Sequence, residues 1–222
     1  MTDTERRFTP GQVEVRSADA EKRTIGGYAA KFGRPSQNLG GFVEFIAPSA
    51  FNRARGNDWP DVQARYNHDD NMLLGTTNAR TLRLSVDETG LVYEVDVPRA
   101  RGDVYELVQR GDVSKSSFAF RVIGEGGEEW GLTDQNFPKR TLLSLDLVDV
   151  APVNAPAYLD TSTAIRSLAH HMDASEDEVR RLAQEGELRK FFTRTDGPAP
   201  KRTLSGAEAR LMLLKSTPDL SA

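Results

Sequence analysis

Three histidines are available for chemistry in the 222-residue chain: His68, His170 and His171. Only His68 falls in the strand-rich part of the sequence, within Tyr66-Asn67-His68-Asp69-Asp70. It is the one candidate base of its type there, and an imidazole suits both acid and base work because its unperturbed pKa is about 6.5. The ordinary reading of a lone histidine in a polar loop is nevertheless a solvated surface residue. A metal site would draw on His68, Asp69 and Asp70, but adjacent side chains rarely converge on one ion and no second ligand cluster stands out. No metal and no cofactor is expected. His170 and His171 are neighbours on a helical pattern and read as solvent-facing.

Serine chemistry needs a base, since a hydroxyl is a weak nucleophile at neutral pH. In Ser116-Ser117-Phe118-Ala119-Phe120-Arg121-Val122-Ile123, alternation puts Phe118, Phe120 and Val122 on one face and Ser117, Ala119 and Arg121 on the other. A strand with one polar face is common, so Ser117 gains interest only beside a base. In Leu143-Ser144-Leu145-Asp146-Leu147-Val148-Asp149, Asp146 shares a face with Ser144, whereas Asp149 continues the face of Leu143, Leu145 and Leu147. Two readings of Asp149 stay open on pattern alone. Either a cationic or hydrogen-bonding partner, such as a histidine ring N–H, holds it in the interior, or the strand has ended and the carboxylate is solvated. The glycine-rich run 124–130 lacks the Gly-Lys-Ser/Thr ending of a phosphate cradle and reads as a hairpin loop.

The elements that must position these residues are mostly short strands. Residues 81–86 and 91–97 alternate on either side of Asp87-Glu88-Thr89-Gly90 and predict a hairpin. Further strands are predicted at 13–16, 24–32, 116–123 and 141–150, with Gly26-Gly27 marking a bulge or a close backbone approach. Helices are predicted at 48–55 and at 103–110, the latter closed by Gly111. Beyond residue 163 the pattern turns helical. A helix covers 164–172, and Ser175 with Glu178 forms a capping box for another running to about residue 192. Residues 196–200 read as a linker and 205–214 as a last short amphipathic helix. The predicted division is therefore 1–162 as a β-rich domain and 163–222 as a helical, partly disordered C-terminal tail.

Composition removes several function classes. With no cysteine there is no disulfide framework, thiolate metal site or cysteine nucleophile. A formal net charge of -4 argues against nucleic acid as the main partner. No apolar run is long enough for a membrane span, and the first ten residues lack the apolar segment of a secretory signal, so no membrane partner and a cytosolic setting are expected.

Four segments, in order, resemble the prohead proteases of tailed bacteriophages, a family distantly similar to the herpesvirus assemblins. Ile25-Gly26-Gly27-Tyr28-Ala29-Ala30-Lys31-Phe32, followed by Phe42-Val43-Glu44-Phe45-Ile46-Ala47-Pro48-Ser49-Ala50-Phe51, resembles the family's opening strand and E-x-I-x-P-G-A-F segment, with Ser49 in place of the glycine. Asn67-His68-Asp69 with Leu74-Gly75-Thr76 resembles its N-H-D … L-G segment. Gly111-Asp112-Val113-Ser114-Lys115-Ser116-Ser117-Phe118-Ala119-Phe120 resembles its G-x-x-S-G-M-S-F-G-F strand, and Leu147 to Tyr158 its L-x-E-V-S-x-V-x-x-P-A-Y ending. Lys115 and Ala119 stand where glycines are common, and Ala151 where serine is common.

The resemblance implies a mainly β (α+β) fold, a closed, mostly antiparallel β-barrel with surrounding helices. It implies a serine endopeptidase acting through an acyl-enzyme, with Ser117 as nucleophile, His68 as base and Asp149 as the orienting acid, Asp146 being the fallback. Arg121 is left without a catalytic role. The implied substrates are scaffold segments of the major capsid protein, cleaved inside the assembling prohead in the bacterial host cytoplasm. Self-cleavage and a homodimer are further expectations. The competing readings are an inactive capsid-assembly or scaffolding protein of the same fold, and a metal-dependent hydrolase centred on His68, Asp69 and Asp70.

Overall fold

Alternating apolar residues pair as their spacing predicts: Leu82, Leu84 and Val86 on β6 (Leu82–Val86) face Val95, Tyr93 and Leu91 on β7 (Gly90–Asp96). Asp87 closes the turn by accepting the Thr89 and Gly90 amides at 2.8 and 2.9 Å. The computed structural model describes residues 4–17, 22–154 and 162–193. Its other strands are β1 (Glu5–Ser17), β2 (Thr24–Lys31), β3 (Val43–Ile46), β4 (Gln63–Arg65), β5 (Leu73–Thr76), β8 (Lys115–Val122), β9 (Glu128–Leu132), β10 (Pro138–Leu142) and β11 (Leu145–Val153). Helices are α1 (Asn52–Gly56), α2 (Gly102–Arg110), α3 (Ser162–His171), α4 (Glu176–Gln184) and α5 (Lys190–Thr193).

Eight strands form one sheet in the order β5-β4-β11-β8-β1-β2-β7-β6, antiparallel except where β4 runs parallel to β11. The sheet curls into a nearly closed barrel. Its edge strands meet where the Thr81 amide donates to the Thr76 carbonyl at 3.2 Å and the Thr76 amide to the Thr81 hydroxyl at 3.0 Å. At Gly26 and Gly27 the strands approach so closely that a Cβ would lie 2.4 Å from the Tyr93 carbonyl oxygen and 2.3 Å from that of Gln12. A side chain at either position would force the strands apart. Aromatic side chains fill much of the barrel interior, with Phe118 stacked on Phe120 at 5.1 Å and edge-on to Phe51 at 6.1 Å. A smaller sheet, β3-β10-β9, lies beside it. Leu39, Phe42 and Trp130 form a second apolar cluster with Ile165 and Leu168 of α3 and Val179 and Leu182 of α4. The first two helices of the predicted tail are thus packed. Among the described residues no helix is long and apolar enough to cross a membrane.

Several predicted boundaries move. The strand expected at 141–150 is two strands in different sheets, because the Leu143 and Ser144 amides both turn to the Gly127 carbonyl, at 2.8 and 3.0 Å. The hairpin loop read at 124–130 already contains the start of β9. Helix α1 starts at Asn52 because 48–51 form turns, the Ala50 amide reaching Ala47 and the Asn52 amide Ser49. The helix begun at Ser175, whose hydroxyl accepts the Glu178 amide, stops at Gln184, before Gly186 takes a φ of 71° that a right-handed helix does not allow. The linker at 196–200 and the helix at 205–214 lie outside the described residues.

The largest difference is at the start of the chain, where β1 begins at Glu5 rather than residue 13. Its charged residues escape a hydrophobicity pattern because they are buried as ion pairs. Arg7 binds Glu44 at 2.8 and 3.0 Å and Glu5 at 2.5 Å. Arg140 binds Glu5 at 2.7 and 2.8 Å, Glu44 at 2.9 Å and Glu128 at 2.6 Å. Buried charges persist only when paired and hydrogen-bonded in this way.

Candidate active site

Parallel pairing of β4 with β11 delivers a short 3-10 turn, Tyr66–His68, to the flank of β11. Asn67 and His68 both adopt left-handed backbone, with φ of 54° and 58°, a conformation that costs a non-glycine residue about 1–2 kcal/mol. Surrounding bonds hold it. The Asn67 side-chain oxygen accepts the Asn154 amide at 3.1 Å, the Asp69 amide returns to the Tyr66 carbonyl at 3.1 Å, and the Tyr66 amide reaches Met72 at 3.0 Å. The imidazole is consequently turned inward, its side chain 2% exposed, and is not the solvated ring that a lone loop histidine suggests.

Ser117 lies on β8, fully buried, on the face opposite Phe118 and Phe120. Asp149 reaches that same face through a bulge. Leu147 pairs with Phe120, but Asp149 pairs with Ala119, so β11 carries one extra residue at Val148. Directly opposed residues of an antiparallel pair project to the same side, so Asp149 leaves the Leu145 and Leu147 face and joins that of Ala119 and Ser117. This corrects the face assigned by alternation.

Three side chains then form one chain of hydrogen bonds. His68 Nδ1 lies 2.5 Å from Asp149 Oδ1, and His68 Nε2 lies 2.7 Å from Ser117 Oγ. A carboxylate only accepts, so Nδ1 carries the proton of the neutral ring and Nε2 is left to accept from the serine hydroxyl. The Arg7 carbonyl oxygen, 2.9 Å from Ser117 Oγ, competes for the same single hydroxyl proton. Asp149 is 1% exposed at its side chain and its other oxygen meets Arg65 Nη1 at 3.3 Å. Arg65 is held in turn by Gln63 at 2.9 Å and Asp70 at 2.7 Å. Both kinds of partner that a buried Asp149 needs, cationic and hydrogen-bonding, are present. Asn67 belongs to the Asn67-His68-Asp69 segment that carried the resemblance, without a role assigned to it, whereas nothing in the sequence pattern singled out Arg65.

The remaining candidates lie elsewhere. Asp146 is 44% exposed at its side chain and sits 3.7 Å from Arg53. Arg121 is exposed and donates to the Thr4 hydroxyl at 3.1 Å. Asp69 accepts the Asn71 amide at 2.8 Å, and Asp70 faces Arg65. His170 is exposed, whereas His171 is partly covered, and burial pushes its imidazole below the ordinary 6.5. Lys115, Ala119 and Ser49, which replace glycines of the resembled segments, have no left-handed backbone that would require glycine.

Comparison with known families adds to this geometry. Residues 11–175 match the family model described as caudovirus prohead serine protease, which is most of the chain. The chain belongs to this family. The match includes the elements that carry His68, Ser117 and Asp149 and runs through α3, while residues 4–10 precede it. Searches of curated proteins and of solved structures returned no match. As a member of a caudovirus prohead serine protease family, the chain is at family level a serine peptidase.

Proposed function

We propose that this protein is the endopeptidase that removes scaffold segments from capsid proteins within an assembling prohead, in the host cytoplasm. Ser117 Oγ attacks the scissile carbonyl carbon while His68 Nε2 takes its proton. The C–N bond then breaks, His68 returns the proton to the leaving amine, and water hydrolyses the acyl-enzyme by the same relay. Asp149 keeps the ring in the productive tautomer and stabilises its charged form, with Arg65 fixing the carboxylate. The observation that carries this reading is the unbroken Ser117–His68–Asp149 hydrogen-bonded chain, 2.7 and 2.5 Å, in a member of a prohead serine protease family. The three residues come in the order His, Ser, acid, and such constellations are recognised by geometry rather than by order.

The test is co-expression with the capsid protein, with and without Ser117→Ala, followed by intact mass spectrometry of both chains. Capsid-protein cleavage that disappears with Ser117→Ala is expected. Cleavage that persists in the variant overturns the nucleophile assignment, and no cleavage by either chain in assembled proheads favours a scaffolding role.

A further inference from the structure

Ser117 is fully buried, and the chain's own residues cover it. Over Glu5 to Thr9, β1 pairs antiparallel with the nucleophile strand β8: Arg7 stands opposite Phe118, Phe8 opposite Ser117 and Thr9 opposite Ser116. The pairing shifts between Thr9 and Gln12, and from Val13 onward β1 pairs with β2 instead. Residues 5–9 therefore pair through their backbone with β8 only, the geometry by which proteins commonly bind extended peptides, while the Thr9 hydroxyl donates to the Ala29 carbonyl of β2 at 2.5 Å.

Two features distinguish this segment from an ordinary edge strand. Its Arg7 carbonyl oxygen lies 2.9 Å from Ser117 Oγ, so the Arg7–Phe8 peptide bond is the one presented to the hydroxyl. Its side chains are held by charge. Glu44 takes the Arg7 guanidinium through both carboxylate oxygens, and Arg140 takes the Glu5 carboxylate through two nitrogens. Paired donors and acceptors of this kind give geometric specificity as well as strength. Arg140 is also bonded to Glu44 at 2.9 Å and to Glu128 at 2.6 Å, so the socket keeps its own ion pairs without the segment. Glu5 and Arg7 carry opposite charges, so their departure together leaves the socket's net charge unchanged. A cleft of about 340 Å³ runs beside the segment, lined by Phe8, Thr9, Lys31, Arg34 and Glu44.

We propose that residues 5–9 occupy in cis the strand position in which this protease reads its substrate, and that Glu44 and Arg140 set its specificity. The preferred substrate is an extended segment with an acidic side chain two residues before an arginine, cut after that arginine. This rests on Ser117 being the nucleophile. In the step itself, Ser117 Oγ bonds to the arginine carbonyl carbon, the peptide C–N bond breaks, the hydroxyl proton passes through His68 Nε2 to the leaving nitrogen, and water releases the new carboxylate. While the segment is in place the site is shut to other chains. A tethered competitor acts at millimolar effective concentration, so displacement or cleavage of residues 5–9 is what opens the site.

The test uses the full chain and a fluorogenic peptide of residues 4–12. The Glu5→Ala/Arg7→Ala double variant of the chain, which removes the charged pair together, should cut this peptide between Arg7 and Phe8 about tenfold faster than the unmodified chain. The same enzyme should cut peptides with alanine in place of either Glu5 or Arg7 about tenfold more slowly, the scale of one lost charged contact. Equal rates on all three peptides, cleavage at another bond, or a double variant slower than the unmodified chain would overturn the proposal. If the double variant does not fold, hydrogen exchange of the full Ser117→Ala chain decides. Millimolar peptide should speed exchange of amides 5–9 while those of β11 stay protected, and no change marks the segment as a structural strand. Ser117-dependent cleavage of the capsid protein without the arginine preference sinks this inference alone. Failure of Ser117-dependent cleavage sinks the proposed function as well.

Discussion

Asp149 stands opposite Ala119 across the β8–β11 pair, one position away from the register that Leu147 and Phe120 establish. A single extra residue decides which face of the sheet the carboxylate occupies, because side chains alternate with period two. Without it Asp149 would share a face with Phe118, inside the barrel.

Deleting Val148 should therefore abolish activity, whereas Val148→Ala, which keeps the residue count, should retain most of it. Turnover of the capsid substrate, measured beside circular dichroism of both variants, separates the two. An active deletion variant would show that the bulge does not place Asp149.

Asp149→Asn preserves shape but replaces an acceptor-only group with one that can also donate. The His68 ring is then free to take the wrong tautomer, and kcat should fall by about 10⁴-fold with the fold intact. Single-turnover kinetics on the capsid substrate measures this, and a loss below tenfold would remove Asp149 from the mechanism.

Arg65 touches Asp149, not the reacting atoms, and is a positioning residue. Arg65→Met should lower kcat by about tenfold with little change in KM, the signature of lost transition-state stabilisation rather than lost binding. Arg65→Lys should recover part of the rate, since it restores the charge without the fork. A pure KM effect would place Arg65 in substrate binding instead.

Acid should loosen the N-terminal segment. Burial opposes the charge on Glu5, but the hydrogen bond and charge of Arg140, followed by those of Arg7, outweigh it and hold the carboxyl below its ordinary 4.5. A depressed folded value stabilises the native state above the unfolded one, and that contribution is lost as pH falls through the lowered value. The urea midpoint should thus hold from neutral pH down to 4.5 with respect to this group and decline below it. Glu5→Gln should make that acid decline shallower. An unchanged profile in Glu5→Gln would show that Glu5 contributes nothing to acid stability.

What could be read from the chain alone were the features that neighbours in sequence determine. Alternation set the β6–β7 hairpin, Gly111 with a φ of 84° ended α2 as expected, Ser175 capped α4, and Gly26-Gly27 marked a close strand approach. The order and spacing of four segments also pointed to the family, and to His68, Ser117 and Asp149 as the residues to follow. Each of these is a local signal with a local cause: a side-chain period, a φ value, a cap.

Tertiary structure decided what depends on distant partners. Glu5 and Arg140 are 135 residues apart, so no window of sequence shows that the polar start of the chain is a buried strand. The break at Leu143 and Ser144 follows from the Gly127 carbonyl, and the short strands β3 and β4 exist because the longer β10 and β11 supply their hydrogen bonds. The same holds at the site. Alternation assigned Asp149 to the apolar face, and only pairing with β8 forces the bulge that turns it toward His68. Period-two patterning records which way a side chain points along an unbroken strand, and register across strands is settled by packing and hydrogen bonds that the linear chain does not contain.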